Sequence, residues 1–339
     1  MKIPGLQALT RDRFFHLLLL IGAGLSLFVP FAPQAWPAAI DWRTIITLSG
    51  LMMLTKGVEL SGYFDVLGRK MVRRFATERR LSLFMVFSAA VLSTFLTNDV
   101  ALFIIVPLTL TLRKLCEIPV SRLIIFEALA VNAGSLLTPI GNPQNILLWG
   151  RSGLSFAAFT WQMAPLALVM MLSLLAVCWF AFPDKKLQYH SGTTGPQWQP
   201  RLVWSCLGLY IVFLFALELK YEVAGVLLVA AGFVVLARRV LVSVDWTLLL
   251  VFMVMFIDVH LLIQLPVLQN VLHSVSTLSQ PGLWLTAIGL SQFISNVPST
   301  ILLLNYVPPD TLLAWAVNIG GFGLLPGSLA NLIALRMAN

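Results

Sequence analysis

The feature that most constrains the fold is an apolar run of 32 residues, 81–112, with polar side chains at its centre. As one helix the run would be about 48 Å long, whereas the hydrocarbon core of a bilayer is about 30 Å thick. Both flanks of the run are basic, through Arg79, Arg80, Arg113 and Lys114. Because basic residues collect on the cytoplasmic side of a membrane, both ends belong on that side. The pattern predicts a re-entrant hairpin with its tip near residues 97–99; one tilted helix with an interrupted centre is the alternative.

The composition agrees with a membrane protein. Hydrophobic residues make up 59% of the chain and charged residues only 11%, and apolar runs of membrane-spanning length recur. The net charge of +8 does not indicate nucleic-acid binding, because Lys and Arg cluster at the ends of the apolar runs. The first run, 14–31, is too long for the core of a signal peptide, so it is predicted to remain as a helix.

Further helices follow from the same patterns. Spans are predicted at residues 44–64, 165–182, 202–219, 223–237 and after Asp245, with a short helix at 155–163. An amphipathic helix at 65–80, rich in Arg, is expected to lie on an anionic leaflet. A span at 123–149 is expected to break near residues 138–143, because prolines and glycines there disrupt a regular helix. Lys56 and Glu59 lie three residues apart in the second span, so they can pair.

The sequence repeats internally. The stretches 93–101 and 291–299 share the pattern Ser, any residue, Phe, Leu or Ile, Thr or Ser, Asn, which aligns Asn98 with Asn296. An Asp-Trp pair opens a span in each half, at residues 41–42 and 245–246. An offset of 186 residues relates a further set of matches: Asn132 with Asn318, Gly141 with Gly327 and Asn145 with Asn331. Landmarks that recur in one order predict an internal duplication.

The predicted fold class is an all-α polytopic membrane protein with two inverted-topology repeats, each with a re-entrant hairpin and a broken transmembrane helix. The first repeat covers residues 1–183, with its hairpin at 81–112 and its broken helix at 123–149. A cytoplasmic linker at 184–201 leads to the second repeat at 202–339, with its hairpin at 282–306 and its broken helix at 311–335. A cytoplasmic N-terminus places most of the 22 Lys and Arg residues inside. Since no span follows the second broken helix, symmetry predicts one more helix beyond Asn339.

The hairpin tips and helix breaks form the candidate binding site, because polar groups at membrane depth are costly and therefore suggest function. Half-helix N-termini suit an anionic or oxygen-rich solute, while side-chain oxygens and freed carbonyls suit a hard cation. No catalytic residue, no metal-binding residue and no cofactor is expected, apart from a bound Na⁺. The candidate substrate- and ion-binding residues are Thr97, Asn98, Asp99, Asn132, Thr138, Gly141, Asn142, Asn145, Ser295, Asn296, Ser299, Asn318, Gly327, Ser328 and Asn331.

Asp99 is the candidate coupling residue, because it is the one carboxylate at a tip and its counterpart is Val297. An isolated intramembrane Asp is either a cation ligand or a proton carrier, and otherwise it caps its own half-helix. Asp258 and His260 are expected to have structural or interfacial roles. Glu127 is a weaker candidate for coupling.

Paired Asn-bearing hairpins and paired broken helices resemble the ion transporter superfamily, which includes arsenite permeases, sodium/proton antiporters and divalent-anion symporters. The resemblance extends over residues 14–336. Within it, the tips at residues 97–99 and 295–298 and the run TPIGNPQN at 138–145 are similar to the arsenite, silicon-efflux and sodium/proton branch. Neither tip has the Ser-Asn-Thr usual in the dicarboxylate branch. The resemblance implies a bacterial inner-membrane location, a scaffold domain, a transport domain, a homodimer through the scaffold and an elevator-like movement.

These observations predict a secondary active transporter for a small inorganic oxyanion or oxyacid, similar to arsenite or silicate, coupled to protons or sodium. A sodium/proton antiporter and a divalent-anion or carboxylate symporter are the alternatives. An enzyme is not expected, because the sequence has no HExxH motif, paired-His metal spacing or nucleophile elbow. A channel would not need two broken sites in inverted copies. The expected partners are the solute, the lipid bilayer and a second copy of the chain, with no nucleic acid.

Overall fold

The computed structural model describes residues 4–190, 197–324 and 327–338, and these form nineteen α-helices. The first ten are α1 (Pro4–Arg11), α2 (Arg13–Ser26), α3 (Trp36–Ala39), α4 (Trp42–Leu60), α5 (Tyr63–Arg74), α6 (Glu78–Phe95), α7 (Asn98–Leu115), α8 (Val120–Ser135), α9 (Pro143–Ser152) and α10 (Phe156–Ala181). The others are α11 (Pro200–Glu218), α12 (Glu222–Leu236), α13 (Arg238–Ser243), α14 (Trp246–Ile263), α15 (Pro266–Val275), α16 (Gln280–Ile294), α17 (Asn296–Leu303), α18 (Thr311–Ile319) and α19 (Leu329–Ala338). The all-helical fold class is confirmed.

Three of the described helices are long and apolar enough to cross a bilayer, judged by length and composition. They are Phe156–Ala181, Pro200–Leu217 and Trp246–Ile263. Shorter apolar helices include α2, α12 and α19. Large apolar side chains on the long helices are widely exposed, for example Phe180 at 85% and Phe215 at 65%. A surface of this kind is stable in contact with lipid rather than water.

The helix boundaries differ from the sequence predictions at three places. The first span ends at Ser26 rather than Phe31, ahead of a segment that contains Pro30, Pro33 and Pro37. The amphipathic helix ends at Arg74, because Thr77 caps a new helix by accepting a hydrogen bond from the backbone N–H of Arg80.

The third difference is at Pro165. A short helix at 155–163 and a separate span from 165 were predicted, and this was wrong: α10 continues through Pro165 to Ala181. Proline removes one backbone hydrogen bond, but membrane helices tolerate that loss where their surroundings satisfy the freed carbonyl.

The chain divides into two compact units, and each takes segments from both halves of the sequence. The first contains Met1–Tyr63 and Gln199–His273, and the second contains Phe64–Trp198 and Ser274–Asn339.

In the first unit, α4 packs against α11 and α12, and α2 packs against α14. The predicted pair on α4 is confirmed, since Lys56 Nζ lies 2.9 Å from Glu59 Oε2.

The second unit contains two similar helix sets. In one, α6 packs against both α7 and α8; in the other, α16 packs against both α17 and α18. The sets are linked crosswise, because α19 contacts α7 while α9 contacts α17. A core that includes Leu136, Phe159, Leu303 and Val317 fills the space between these helices.

A short segment at residues 185–190, here called the strap, pairs with both ends of the α6–α7 helix pair. At the start of α6, Glu78 N donates to Lys185 O (3.0 Å) and Leu187 N donates to Ala76 O (3.0 Å). At the end of α7, Glu117 N donates to Gln188 O (2.9 Å) and His190 N donates to Leu115 O (3.1 Å). The chain therefore enters α6 and leaves α7 at the same end of this unit.

Candidate functional site

The first tip is the break between α6 and α7, and the backbone N–H groups of Asn98, Asp99 and Val100 all have acceptors within the protein. Asn98 N donates to Gly141 O (3.0 Å), and Asp99 N donates to Asn98 Oδ1 (3.0 Å). Thr97 caps the helix, with its Oγ1 accepting from Val100 N (3.4 Å) and its carbonyl accepting from Ala101 N (3.0 Å). Thr97, rather than Asp99, thus satisfies the helix N-terminus.

Asp99 is left without this capping role. Its Oδ1 atom is buried and has no hydrogen-bond partner among the described residues. A buried carboxylate oxygen without a donor is costly, and such an atom is commonly completed by a proton or a cation.

The second tip, between α16 and α17, has a different local structure. Ser295 joins the helices with φ 73° and ψ 158°, a conformation that L-residues rarely adopt. Within the described residues, no acceptor is found for the backbone N–H groups of Asn296 and Val297. The bonds on either side run from Ser295 N to Ser291 O (3.1 Å) and from Ser299 N to Ser295 O (3.2 Å). No carboxylate lies in this first turn. The second tip therefore presents free donors at the positive end of a helix.

The two tip asparagines share one property. Asn98 Oδ1 accepts from Asp99 N, and Asn296 Oδ1 lies 3.4 Å from the hydroxyl of Ser295. No hydrogen bond from the Nδ2 atom of either asparagine is present within the described part of the chain. Both side chains are almost fully buried, with 4% and 3% exposed. Each tip thus has a side-chain amide donor that no described residue uses.

The helix breaks lie beside these tips. α8 ends at Ser135 and α9 begins at Pro143, where Asn142 Oδ1 accepts from Asn145 N (2.9 Å). This matches the predicted break near residues 138–143. α18 ends at Ile319 and α19 begins at Leu329, and residues 325–326 between them lie outside the described residues.

Six candidate residues form two matching buried clusters that join the two broken helices, here together called the amide latch. Asn132 Nδ2 donates to Asn331 Oδ1 (2.9 Å), and Asn318 Nδ2 donates to Asn145 Oδ1 (2.8 Å). Ser328 Oγ donates to Asn132 Oδ1 (3.2 Å), and Asn142 Nδ2 donates to Asn318 Oδ1 (3.1 Å). A shift of 186 residues, with the two halves exchanged, converts each of these bonds into its partner. Two-fold related elements produce this exchange.

The helices before the two tips, α6 and α16, also make matching contacts. Their equivalent positions are 198 residues apart. Thr94 Oγ1 donates to Ala90 O (2.9 Å) and Gly134 O (3.1 Å); Gln292 Nε2 donates to Ile288 O (3.5 Å) and Gly320 O (2.5 Å). Gly134 and Gly320 occur at these two contacts because a Cβ at either position would collide with α6 or α16.

The structure brings all fifteen candidate residues into the second unit. Four asparagines use both the oxygen and the nitrogen of their side-chain amides within the protein: Asn132, Asn145, Asn318 and Asn331. Thr138 Oγ1 donates to Thr94 O (3.0 Å), and Ser299 Oγ donates to Ser295 O (2.8 Å). At Gly141 and Gly327 the local backbone leaves no room for a Cβ. Among the candidate residues, the side-chain atoms that no described residue contacts by a hydrogen bond lie at the tips: Asp99 Oδ1 and the Nδ2 atoms of Asn98 and Asn296.

Sequence reasoning missed Thr94, Gln292 and Thr109. The first two occupy equivalent positions in the repeated stretches, four residues before the tip asparagines, so aligning the repeats would have found them. Thr109 Oγ1 lies 2.8 and 2.7 Å from the two carboxyl oxygens of Glu127, and both residues are fully buried. Their sequence separation gives no signal of this contact.

Asp258 belongs to the first unit and not to the site. Its side chain packs against Gly22 of α2, and only 7% of the residue is exposed. His260 contacts Gln264 (2.8 Å between Nε2 atoms), which agrees with different faces for the two residues.

A membrane protein with paired helix breaks, paired Asn-bearing tips and a tip carboxylate whose Oδ1 is buried has the features of a secondary transporter. The sequence matches the CitMHS citrate transporter family over residues 11–317, so the chain belongs to this family, within the ion transporter superfamily. The predicted resemblance to that superfamily is confirmed.

Two relatives align over nearly the whole chain. Inner membrane protein YbiR of Escherichia coli is 79% identical over 339 residues, which cover 100% of this chain and 91% of that protein. An uncharacterized transporter of Methanocaldococcus jannaschii is 32% identical over 337 residues, which cover 97% of this chain and 90% of that protein.

Proposed function

We propose that the chain is a secondary active transporter that moves a small inorganic oxyanion or oxyacid, coupled to protons or sodium. The observation that carries this proposal is the difference between the two tips. The second tip has free N–H donors and no carboxylate, whereas the first has a buried carboxylate oxygen without a donor. The second tip suits an anion, and the first tip suits a cation.

The anion is proposed to bind at the second tip. The N–H groups of Asn296 and Val297 lie at the positive end of α17, and Asn296 Nδ2 adds a side-chain donor. A Cβ at Gly321 would lie 3.4 Å from Asn296 Nδ2 and 3.8 Å from the amide carbon of Asn132, so the tip adjoins the amide latch. A helix N-terminus with convergent donors is a favourable setting for a small oxygen-rich anion.

The coupling cation is proposed to bind at the first tip. Asp99 Oδ1 supplies the negative charge. The backbone N–H groups of Asp99 and Val100 already have acceptors, so they do not compete with a cation for this oxygen. Oxygen ligands of this kind suit Na⁺, and the carboxylate alone is enough for a proton.

Two inverted repeats and two re-entrant hairpins remain part of the proposal. The exchanged hydrogen bonds of the amide latch support a two-fold relation between the copies. The strap supports a hairpin, because it contacts the start of α6 and the end of α7. The inverted orientation rests on the distribution of Lys and Arg, which also favours a cytoplasmic N-terminus.

An elevator-type mechanism, an inner-membrane location and a homodimer are proposed together. The location is supported by the inner-membrane relative. The mechanism is supported by the collection of all candidate residues in one compact unit, which could carry the site as a body. The homodimer rests on the family resemblance alone.

A carboxylate symporter is the second candidate. The match to the citrate transporter family favours it, and a carboxylate is also an oxygen-rich anion that the second tip could bind. A sodium/proton antiporter is the third, because Asp99 alone could exchange the two cations.

The test is charge movement by reconstituted protein on a solid-supported membrane. Sodium is applied alone at two pH values, and then arsenite, silicate, sulfate, phosphate and citrate are applied at constant sodium. We expect one inorganic oxyanion to give a saturable current that Asp99→Asn abolishes. A current with citrate alone would favour the carboxylate symporter. A pH-dependent sodium current that no anion changes would favour the antiporter, and both results would contradict the oxyanion proposal.

A further inference from the structure

An apolar groove opens along the surface of the second unit between α6 and α10. Its volume is about 630 Å³, within the usual range of about 300–1,000 Å³ for ligand pockets. Leu83, Phe84 and Phe87 line one side, and Leu175 and Trp179 line the other. Phe87 is 53% exposed and Trp179 is 50% exposed. The groove is therefore an open channel between two helices rather than an internal cavity.

A cation marks one end of this groove. The guanidinium carbon of Arg79 lies 4.6 Å from the centre of the Trp179 ring, and its Nε donates to Phe182 O (3.0 Å). These contacts hold the guanidinium against a residue that lines the groove, and its two terminal nitrogens make no hydrogen bond to any described residue.

Three more arginines lie within six residues of Arg79 in the sequence. Arg73, Arg74 and Arg80 are exposed, and no carboxylate in the described parts of the chain forms an ion pair with any of them or with Arg79. The other end of the groove, toward Phe87, is uncharged. The groove thus has the polarity of a lipid, with an apolar length and one cationic end.

We propose that this groove binds a phospholipid with an anionic headgroup. One acyl chain lies between α6 and α10, and the phosphate contacts the free nitrogens of Arg79. Basic residues at the end of a membrane helix attract anionic lipids, and tryptophan is favoured at the same depth. Charge complementarity favours an anionic lipid over a second copy of the chain. No carboxylate among the described residues of α6 and α10 lines the groove, so a copy that docked through the same groove would bring no acidic partner for Arg79.

The test is native mass spectrometry of the purified full chain with equal amounts of phosphatidylglycerol and phosphatidylcholine. We expect phosphatidylglycerol to be retained about fivefold more than phosphatidylcholine, as one well-placed cation near a headgroup can achieve. Arg79→Gln should remove this preference. Arg239→Gln, which changes an exposed basic residue at the end of another apolar helix, is the matched control and should keep it.

A second variant tests the apolar part of the site without changing charge. Ala176 lines the groove and is exposed, so Ala176→Trp should fill the groove and lower retention of both lipids while the fold is kept. Equal retention of the two lipids by the wild type, or equal effects of Arg79→Gln and Arg239→Gln, would overturn the proposal. It would also be overturned if Ala176→Trp changed the oligomeric state and left lipid retention unchanged, because the groove would then be a protein interface.

Discussion

Asp99 is the residue on which coupling depends in the proposed mechanism. Its Oδ1 is buried without a partner in the described residues, and Thr97 performs the capping that Asp99 would otherwise perform. We expect Asp99→Asn to lower gradient-driven uptake by about tenfold or more, equivalent to roughly 1.4 kcal/mol. Uptake into proteoliposomes measures this. Asp65→Asn, which removes a carboxylate paired with Arg69 on α5, is the control and should have little effect.

Ser295 shows the cost of building the second tip. Its φ of 73° is unfavourable for any residue with a Cβ, and glycine has no such penalty. We expect Ser295→Gly to stabilise the protein by about 1 kcal/mol, measured as a higher thermal midpoint in detergent. Ser299→Gly, in the regular part of α17, should lower the midpoint by a similar amount. A lower midpoint for Ser295→Gly would contradict the assignment of strain to this residue.

At the residue scale, the sequence predicted which polar groups lie at the tips but not which of them are free. Asn98, Asn296 and Asp99 could be identified because they interrupt apolar runs. Asn132 and Asn318 use their side-chain amide atoms in the latch. Their partners lie 199 and 173 residues away in the sequence, so spacing alone does not reveal these contacts.

At the scale of elements, the amide latch is predicted to hold the broken helices together as one body. A double-mutant cycle of Asn132→Ala and Asn331→Ala should give a coupling energy of about 0.5–3 kcal/mol, because the two amides share a buried hydrogen bond. The cycle of Asn318→Ala and Asn145→Ala should give a coupling of the same sign. Unfolding in mixed detergent micelles measures both cycles.

Asn132 and Asn145 provide the control pair for these cycles, because no hydrogen bond joins their side chains in the described structure. Their coupling should be smaller than that of either bonded pair. Equal coupling for all three pairs would mean that the amide latch does not join the helices through the observed bonds.

The strap makes a second prediction about elements. Cys116 and Tyr189 face each other in an antiparallel bridge, between the bonds Glu117 N–Gln188 O and His190 N–Leu115 O. Such non-hydrogen-bonded pairs have Cα atoms about 4.5 Å apart, which is within the range of a disulfide. Tyr189→Cys should therefore form a disulfide with Cys116 under mild oxidation, detected as the loss of two alkylatable thiols.

The corresponding pair at the start of α6 is Thr77 and Lys186, and the double variant Thr77→Cys, Lys186→Cys should also cross-link. Cys116→Ser combined with Tyr189→Cys is the control and should not. If only one of the two cross-links formed, the strap would not join both ends of the helix pair, and the hairpin proposal would lose its structural support.

Element boundaries were predictable where proline and glycine cluster and less so where proline stands alone. The break after α8 was predicted because Pro139, Gly141 and Pro143 lie within five residues. Pro165 alone does not break α10, because one missing hydrogen bond is a small loss in a helix of 26 residues. A single proline is therefore a weaker signal of a helix break than a cluster of prolines and glycines.

For the whole molecule, the all-helical class was predictable from composition, and the transporter superfamily from the resemblance of the repeated motifs to those of its members. The resemblance implied two domains, but the segments that form each unit were not predictable, because each unit combines segments from both halves of the chain. Sequence order shows where the repeats lie, whereas the units depend on which helices pack together. The collection of all fifteen candidate residues in one unit is the structural finding that best supports a moving binding site.

The central claim is that the two tips bind different ions. The most direct test compares Asn296→Ala with Asp99→Asn in anion–anion exchange and in gradient-driven uptake of the same oxyanion. We expect Asn296→Ala to raise the half-saturating anion concentration about tenfold in both assays, because it removes a donor. Asp99→Asn should leave exchange nearly unchanged and abolish the dependence on sodium or protons. If both variants changed anion affinity equally and neither changed the cation dependence, the division of roles between the tips would be contradicted.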